Sequence, residues 1–322
     1  MNYRQVIARA IGDEMAADDR VILLGEDVAA AGGAFKTTVG LLERFGPQRV
    51  RDTPISEQAI VGAALGAALM GLRPVAEIMF ADFAGVCFDQ LANQLAKYRY
   101  MSGGQFRVPV TIRMANGAGA GFAAQHSQPA ENWLLNVPGL KIAVPATVAD
   151  LYGLLRTAIR DDNPVVVFEH KNLFAVKGEV GPDAALVPLG VADVVRRGGD
   201  LTVVATQQMR HRAVEAAGRL AADGVEATVI DPRTLVPFDD ETVVASLTET
   251  SRLLVVQEGP AGGSWGASLV ARIAQDHFDL LDAPPVLVAS DDTPVPYAGP
   301  LEDAWLPTVD RIVDQAHRQL AY

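Results

Sequence analysis

The chain has 322 residues, 49% apolar and 20% charged, with a net charge of -12 and one cysteine, Cys87. That length suits two domains of roughly 150 residues each. The negative balance argues against nucleic acid and anionic membrane surfaces, which attract basic patches, and a lone cysteine excludes an internal disulfide.

Tyr3 to Met15 has helical spacing, and Asn2 stands where a cap belongs. Met1-Asn2-Tyr3-Arg4 shows no basic start followed by an apolar signal core, so a cytoplasmic location is expected. Val21-Ile22-Leu23-Leu24 reads as a buried strand ending in Gly25-Glu26-Asp27, and the Gly- and Ala-rich residues 28–45 read as a long loop. Arg51 to Gln58 is an extended segment that turns into a helix at Glu57 and runs to about Gly71. The apolar stretch Ala59 to Leu72 has only 14 residues, too few to cross a bilayer. A strand follows from Pro74 to Phe80, and Asp82 is placed to cap a helix reaching about Met101. Val108 to Arg113, Ile142 to Val144 and Val165 to Phe168 read as strands, with a helix from Ala149 to Arg160.

Residues 171–188 lose this rhythm and contain Lys171, Gly178, Gly181, Pro182 and Pro188. An interdomain linker is expected there, over 177–188, between domains at 1–176 and 189–322. Alternation resumes with strands at Leu201–Ala205, Val225–Ile230, Leu253–Val256 and Val286–Ala289. Helices are expected at His211–Ala222, Ser264–Gln275 and Thr308–Leu320. Strand–helix alternation in both halves predicts two α/β domains, each a doubly wound and mainly parallel sheet.

Four local features bear on chemistry. Asn116-Gly117-Ala118-Gly119-Ala120-Gly121-Phe122 follows a strand, but Phe122 stands where a dinucleotide fingerprint needs its third glycine. Gly262-Gly263-Ser264-Trp265-Gly266 matches G-x-S-x-G, with Asp291 or Asp292 and then His317 in hydrolase order. A serine hydrolase built on Ser264 is thus the rival from another class, against a plain reading of Ser264 as a helix cap. His126, in Ala124-Gln125-His126-Ser127-Gln128, is flanked by polar side chains beside flexible backbone and suits proton transfer. Glu57 is either a first-turn acid facing free N–H groups or a carboxylate held dry for chemistry.

Several segments together carry a family resemblance. They are RDTPISE (Arg51 to Glu57), MGLRPVAE (Met70 to Glu77), Phe88-Asp89-Gln90, KYRYMSGG (Lys97 to Gly104) and AAQHSQ (Ala123 to Gln128). Pro138-Gly139-Leu140-Lys141, DDNPVVV (Asp161 to Val167) and DPRT (Asp231 to Thr234) continue the match in order. The chain resembles the β subunit of a thiamine-diphosphate-dependent 2-oxo acid dehydrogenase E1 component, of the acetoin or pyruvate dehydrogenase type. The resemblance implies a transketolase-like pyrimidine-binding domain followed by a transketolase C-terminal-like domain.

The same resemblance implies roles. Glu57 would hydrogen-bond N1′ of the cofactor's aminopyrimidine, Met79 and Phe83 would pack against that ring, and His126 would serve proton transfers or the lipoyl acceptor. A carboxyl group kept out of water holds its proton more tightly, can share it with N1′ and so favours the imino tautomer. A structural potassium ion would take Val110, Ala158, Ile159, Asp161 and Asn163. No Gly-Asp-Gly string occurs in the chain, so Mg²⁺ and the diphosphate are expected to be held mainly by an α subunit in an α2β2 tetramer. The implied reaction is decarboxylation of a 2-oxo acid, or cleavage of acetoin, with acyl transfer to a lipoyl-bearing E2. Carboligation without E2 is the alternative that keeps the cofactor.

Overall fold

The computed structural model describes residues 1–181 and 184–322; Pro182, part of the expected linker, lies outside the described residues. Chain contacts divide it into two units. Unit 1 holds Met1–Asn116 and Trp133–Leu189, and unit 2 holds Gly117–Asn132 and Gly190–Tyr322.

Unit 1 starts at α1 (Tyr3–Ala17). Asn2 Oδ1 accepts from Gln5 N and Gln5 Oε1 accepts from Asn2 N, both at 2.9 Å, which satisfies two of the helix's free donors. There follow β1 (Val21–Gly25), α2 (Leu41–Phe45), β2 (Val50–Asp52), α3 (Glu57–Leu69) and β3 (Arg73–Ile78). The short α2 lies inside the expected loop. Residues 81–101 do not form the single helix expected from a cap at Asp82. A 3-10 turn (Ala81–Gly85), a π-helical stretch (Gln90–Leu95) and α4 (Tyr98–Met101) stand in its place. Phe80 occupies the N-cap and Asp82 sits inside the turn. Gly85 ends the first turn, and Leu91 and Leu95 are the buried residues of the π-helical stretch.

The unit continues through β4 (Thr111–Asn116), the last two residues of α5 (Glu131–Leu134), β5 (Lys141–Ala143), α6 (Val148–Arg160) and β6 (Val165–His170). Pairing of β4 begins at Thr111, later than the sequence pattern suggests, because Pro109 has no N–H to donate. The strands run parallel in the order β5-β6-β4-β3-β1-β2. Ile7, Ile11, Leu151 and Leu155 of α1 and α6 pack with Val21, Val75 and Val165 in one core. Ile60, Val61, Ala64 and Leu65 are the buried side of α3. With helices on both faces, the central strands are apolar throughout instead of alternating.

Unit 2 contains β7 (Asp193–Arg196), β8 (Leu201–Ala205), α7 (Gln207–Ala222), β9 (Ala227–Asp231), β10 (Thr234–Val236) and α8 (Asp240–Thr250). It ends with β11 (Leu253–Val256), α9 (Trp265–Asp276), β12 (Val286–Val288), α10 (Gly299–Trp305) and α11 (Val309–Leu320). The sheet order is β12-β11-β8-β9-β7, parallel except for β7 against β9. Leu201, Val203, Met209, Leu220, Val229, Leu254 and Ile312 fill its core, together with Ala118. Both units are therefore α/β with doubly wound sheets. No helix among the described residues is long and apolar enough to cross a membrane.

Candidate active site

Glu57 is the first residue of α3, 7% exposed, and its carboxylate accepts no hydrogen bond from any described residue. Ser56 at the N-cap makes no side-chain cap bond either. Glu57 makes no bond to a free helix N–H, so as a first-turn acid it is left with the helix dipole alone. What remains is a buried carboxylate with its oxygens open to an incoming donor. Two neighbours register its charge. The Glu26 carboxyl, just past β1, is pushed above the usual range first by burial and then by Glu57, Asp27 and Glu77. The buried Cys87 thiol is pushed up to about 12 by burial and by Glu57.

Cys87 is itself held to the aromatic turn, its thiol donating to Phe83 O at 3.5 Å. Phe83 is half-buried and meets Phe80 edge-on at 5.6 Å; Phe80 meets Phe35 the same way at 5.4 Å. Met79 is half-buried immediately after β3. The structure thus brings Glu57, Met79 and Phe83 to the carboxyl edge of the unit 1 sheet, where parallel α/β folds take ligands. A thioether and a phenyl ring beside an unbonded buried carboxylate fit a flat, weakly basic heterocycle.

Beneath this edge lies an ion cluster that the sequence reading did not single out. Arg113 on β4 reaches Glu77 on β3 at 2.6 Å and grips Glu169 on β6 through two bonds, at 2.7 and 2.8 Å. Thr37 Oγ1 adds a bond to Glu77 at 3.3 Å. Burial alone would weaken the Arg113 charge, but Glu169 and Glu77 more than offset it and hold the guanidinium protonated. Burial pushes Glu169 up despite Arg113, and Glu77 adds to that rise. The cavity shared by this cluster and Met79 has room of about 10 Å³, no more than a single water needs. The triad therefore has room for one water at most. Its sequence signal was present as a charge set among apolar residues in each of three strands, at Glu77, Arg113 and Glu169.

His126 lies in unit 2, half-buried, with its backbone N–H donating to Ala123 O at 3.5 Å. The glycine-rich loop before it offers no free phosphate cradle, since amides of Ala118, Gly119 and Gly121 already bond Glu258 and Glu302. The hydrolase alternative fails on geometry. Ser264 is fully buried, its Oγ donates to Ala261 O at 2.8 Å and caps α9 through Ala267 N at 3.2 Å. His317 Nε2 pairs with Asp223 at 3.2 Å and takes no part in a triad with Ser264.

The potassium set gathers at the other, amino-terminal edge of the unit 1 sheet. Arg73 donates to Ile159 O at 2.8 Å and to Asp161 O at 2.7 Å. Val110 O accepts from Val165 N at 3.0 Å, and Ala158 O from Asp161 N at 3.2 Å. Lys141 Nζ meets the Asp161 carboxylate at 2.5 Å, and Arg99 meets Asn163 Oδ1 at 2.5 Å. Carbonyl oxygens at a helix carboxyl end plus a carboxylate suit a large cation, although side-chain cations already engage much of this set.

Asp161 gives a pH test. Burial pushes its carboxyl up, but Lys141 and Asn163 more than offset that, and the net shift is downward. With the folded value depressed, its stabilisation is complete above the unfolded value of about 3.9 and is lost as pH falls through the folded one. Lys141→Met removes a main cause of the depression, so acid unfolding followed by circular dichroism should begin at a higher pH than in the parent. An unchanged acid midpoint would show that Lys141 contributes nothing here.

Comparison with known proteins agrees with this architecture. Residues 1–177 match the transketolase pyrimidine-binding domain, and residues 190–312 the transketolase C-terminal domain. The β subunit of acetoin:2,6-dichlorophenolindophenol oxidoreductase from Bacillus subtilis (strain 168) is 46% identical, over 97% of this chain and 95% of its own length. The pyruvate dehydrogenase E1 component subunit beta of Rickettsia conorii is 42% identical, over 100% and 99%. The 2-oxoisovalerate dehydrogenase subunit beta of Bacillus subtilis is also 42% identical, over 100% and 98%. A solved split-gene transketolase, described as an inactive beta4 tetramer, superposes with a TM-score of 0.84 at 24% identity, covering 100% of this chain and 99% of that one, and so shares the fold. With that identity extending over the full length of both partners, the chain belongs to the family of β subunits of thiamine-diphosphate-dependent dehydrogenase E1 components.

Proposed function

We propose that this chain supplies the aminopyrimidine half of an E1 active site, completed by an α subunit in an α2β2 particle. The observation that carries the reading is the buried, unbonded carboxylate of Glu57 at the carboxyl edge of the unit 1 sheet. Glu57 holds a proton at the ring nitrogen N1′, which a carboxyl group can both give and take. Met79 and Phe83 seat the ring and keep water from its flank. His126 serves proton transfers or the lipoyl acceptor. Thiamine diphosphate, when bound, supplies the electron sink that lets a carbon–carbon bond beside a carbonyl break. The partner chain holds the diphosphate and Mg²⁺, for which this sequence has no Gly-Asp-Gly string. Potassium would share the Val110, Ala158, Ile159, Asp161 and Asn163 oxygens with Arg73 and Lys141.

For the substrate, acetoin leads. Two relatives named for acetoin are 46% and 44% identical, while two named for pyruvate are 44% and 42% identical and one named for 2-oxoisovalerate is 42% identical. Pyruvate and branched 2-oxo acids follow. The acyl product passes to a lipoyl-bearing E2. The test is co-expression with an α chain that carries a Gly-Asp-Gly motif, then turnover with each substrate, with and without lipoyl-E2. The expected result is acetoin cleavage that needs both chains. Turnover by this chain alone would contradict the shared site, and coupled product formed equally well without E2 would favour carboligation.

A further inference from the structure

The glycine-rich loop ahead of His126 has the backbone of an anion-binding nest, and protein carboxylates fill it. Gly119 N donates to Glu302 Oε1 at 2.7 Å and Gly121 N donates to Glu302 Oε2 at 3.0 Å, while Ala118 N donates to Glu258 Oε1. Gly117, Gly119 and Gly121 have φ of 85°, 89° and 74°, a conformation open to glycine that lets nearby N–H groups converge on one acceptor. Glu302 and Glu258 are 3% and 7% exposed. Bonds from amides to a buried carboxylate are charge-assisted and stronger than neutral ones.

The anchors are themselves fixed. Glu258 lies two residues past β11, at the crevice where the unit 2 sheet reverses its order between β8 and β11. Folds of this kind take ligands at that crevice, and here the glycine-rich loop occupies it. Glu302 lies in α10, which ends at Trp305; that indole donates to Asp291 O at 3.0 Å and Thr293 O at 3.2 Å. Ala118 is fully buried in the unit 2 core. The far end of the segment is held as well. A Cβ on Gly259 would come within 2.6 Å of Pro129 Cγ, so Pro129 packs directly on the backbone after Glu258. His126 therefore sits on a short span between two fixed ends, with the turn at Ala123 (φ 59°) between the clamp and the imidazole.

We propose that Glu302 is a positioning residue for His126, acting through the amides of Gly119 and Gly121 and not through contact with substrate. This rests on the role given to His126 above. Glu302→Ala leaves two N–H groups without their acceptor and frees the loop, whereas Glu302→Gln keeps the volume and one acceptor oxygen.

The experiment uses the assembled α2β2 enzyme loaded with thiamine diphosphate, with turnover and amide hydrogen exchange measured on Glu302→Ala, Glu302→Gln, His126→Ala and the double variant Glu302→Ala/His126→Ala. The expected result is a kcat lowered about tenfold or more in Glu302→Ala, with KM changed far less and partial rescue by Gln. The double variant should be no slower than His126→Ala alone, because residues acting as a unit are not additive. Exchange in 117–126 should quicken by about tenfold or more in Glu302→Ala. A folded Glu302→Ala enzyme with parental kcat, or a double-variant loss equal to the product of the single losses, would overturn the proposal. Unchanged amide exchange would overturn the clamp and leave His126 standing. Parental turnover in His126→Ala would instead remove the role of His126, and with it the purpose of the clamp. If Glu302→Ala fails to assemble, Glu302→Gln decides by the same readings at intermediate size.

Discussion

Glu57→Gln should lower turnover of the assembled enzyme by about 10²–10⁴-fold, the range for loss of a positioned proton-transfer group, without loss of stability. The two halves of that expectation come from one geometry. The amide keeps the shape of the side chain but has no acidic proton to share with a ring nitrogen. It also removes a buried carboxylate that no described residue hydrogen-bonds. The isosteric amide gives up no hydrogen bond, because Glu57 makes none with any described residue, so the variant should melt at the same temperature or higher. A capping role gives the opposite pattern, with a loss of about 1 kcal/mol and normal turnover. Calorimetry and steady-state kinetics on one preparation separate the two. Residues that weaken a fold while serving its chemistry are a familiar compromise at active sites.

Arg113→Met should be the most destabilising change among those considered. It strands Glu77 and Glu169 without their common cation in a cavity with room of about 10 Å³. Breaking a buried ion pair by deleting one partner typically costs about 3–5 kcal/mol, because the surviving charge stays buried. Here two carboxylates survive. Adding Glu77→Gln and Glu169→Gln to Arg113→Met should recover a large part of the loss, since neutral groups no longer need the guanidinium. Urea denaturation of the three proteins measures both steps. An Arg113→Met chain as stable as the parent would show that water or rearrangement already relieves the triad. The triad joins β3, β4 and β6 next to Met79, so the same variant should also loosen that side of the ring's seat.

Much of the architecture was legible because its signals are local. Asn2 and Gln5 form the capping box that the spacing allowed. Leu253–Val256 is a strand at the expected residues, as a short apolar run between polar flanks should be. The apolar run after Glu57 foretold the dry setting of that carboxylate, and the structure shows it at 7% exposure. Other features depend on partners distant in sequence. The helix Asp240–Thr250 buries only Val243, Leu247 and Thr250, too narrow a stripe to stand out among its polar neighbours. The broken helix after Phe80 follows from tertiary packing, with Leu91 and Leu95 the buried residues of its π-helical stretch. The Arg113 triad spans 36 and 56 residues, so three isolated charges gain meaning only when β3, β4 and β6 lie side by side. Likewise Gly119 and Glu302 are 183 residues apart, and the glycine pattern alone did not say that a carboxylate would fill its nest.

The most direct measurement of the central claim is the rate at which bound thiamine diphosphate exchanges its C2 proton for deuterium. It is read by NMR after acid quenching of the assembled complex, with the parent chain and with Glu57→Gln. If Glu57 passes its proton to N1′, exchange is fast in the parent and about 10²–10⁴-fold slower in the variant, with the cofactor bound in both. Equal rates in the two proteins would contradict the account.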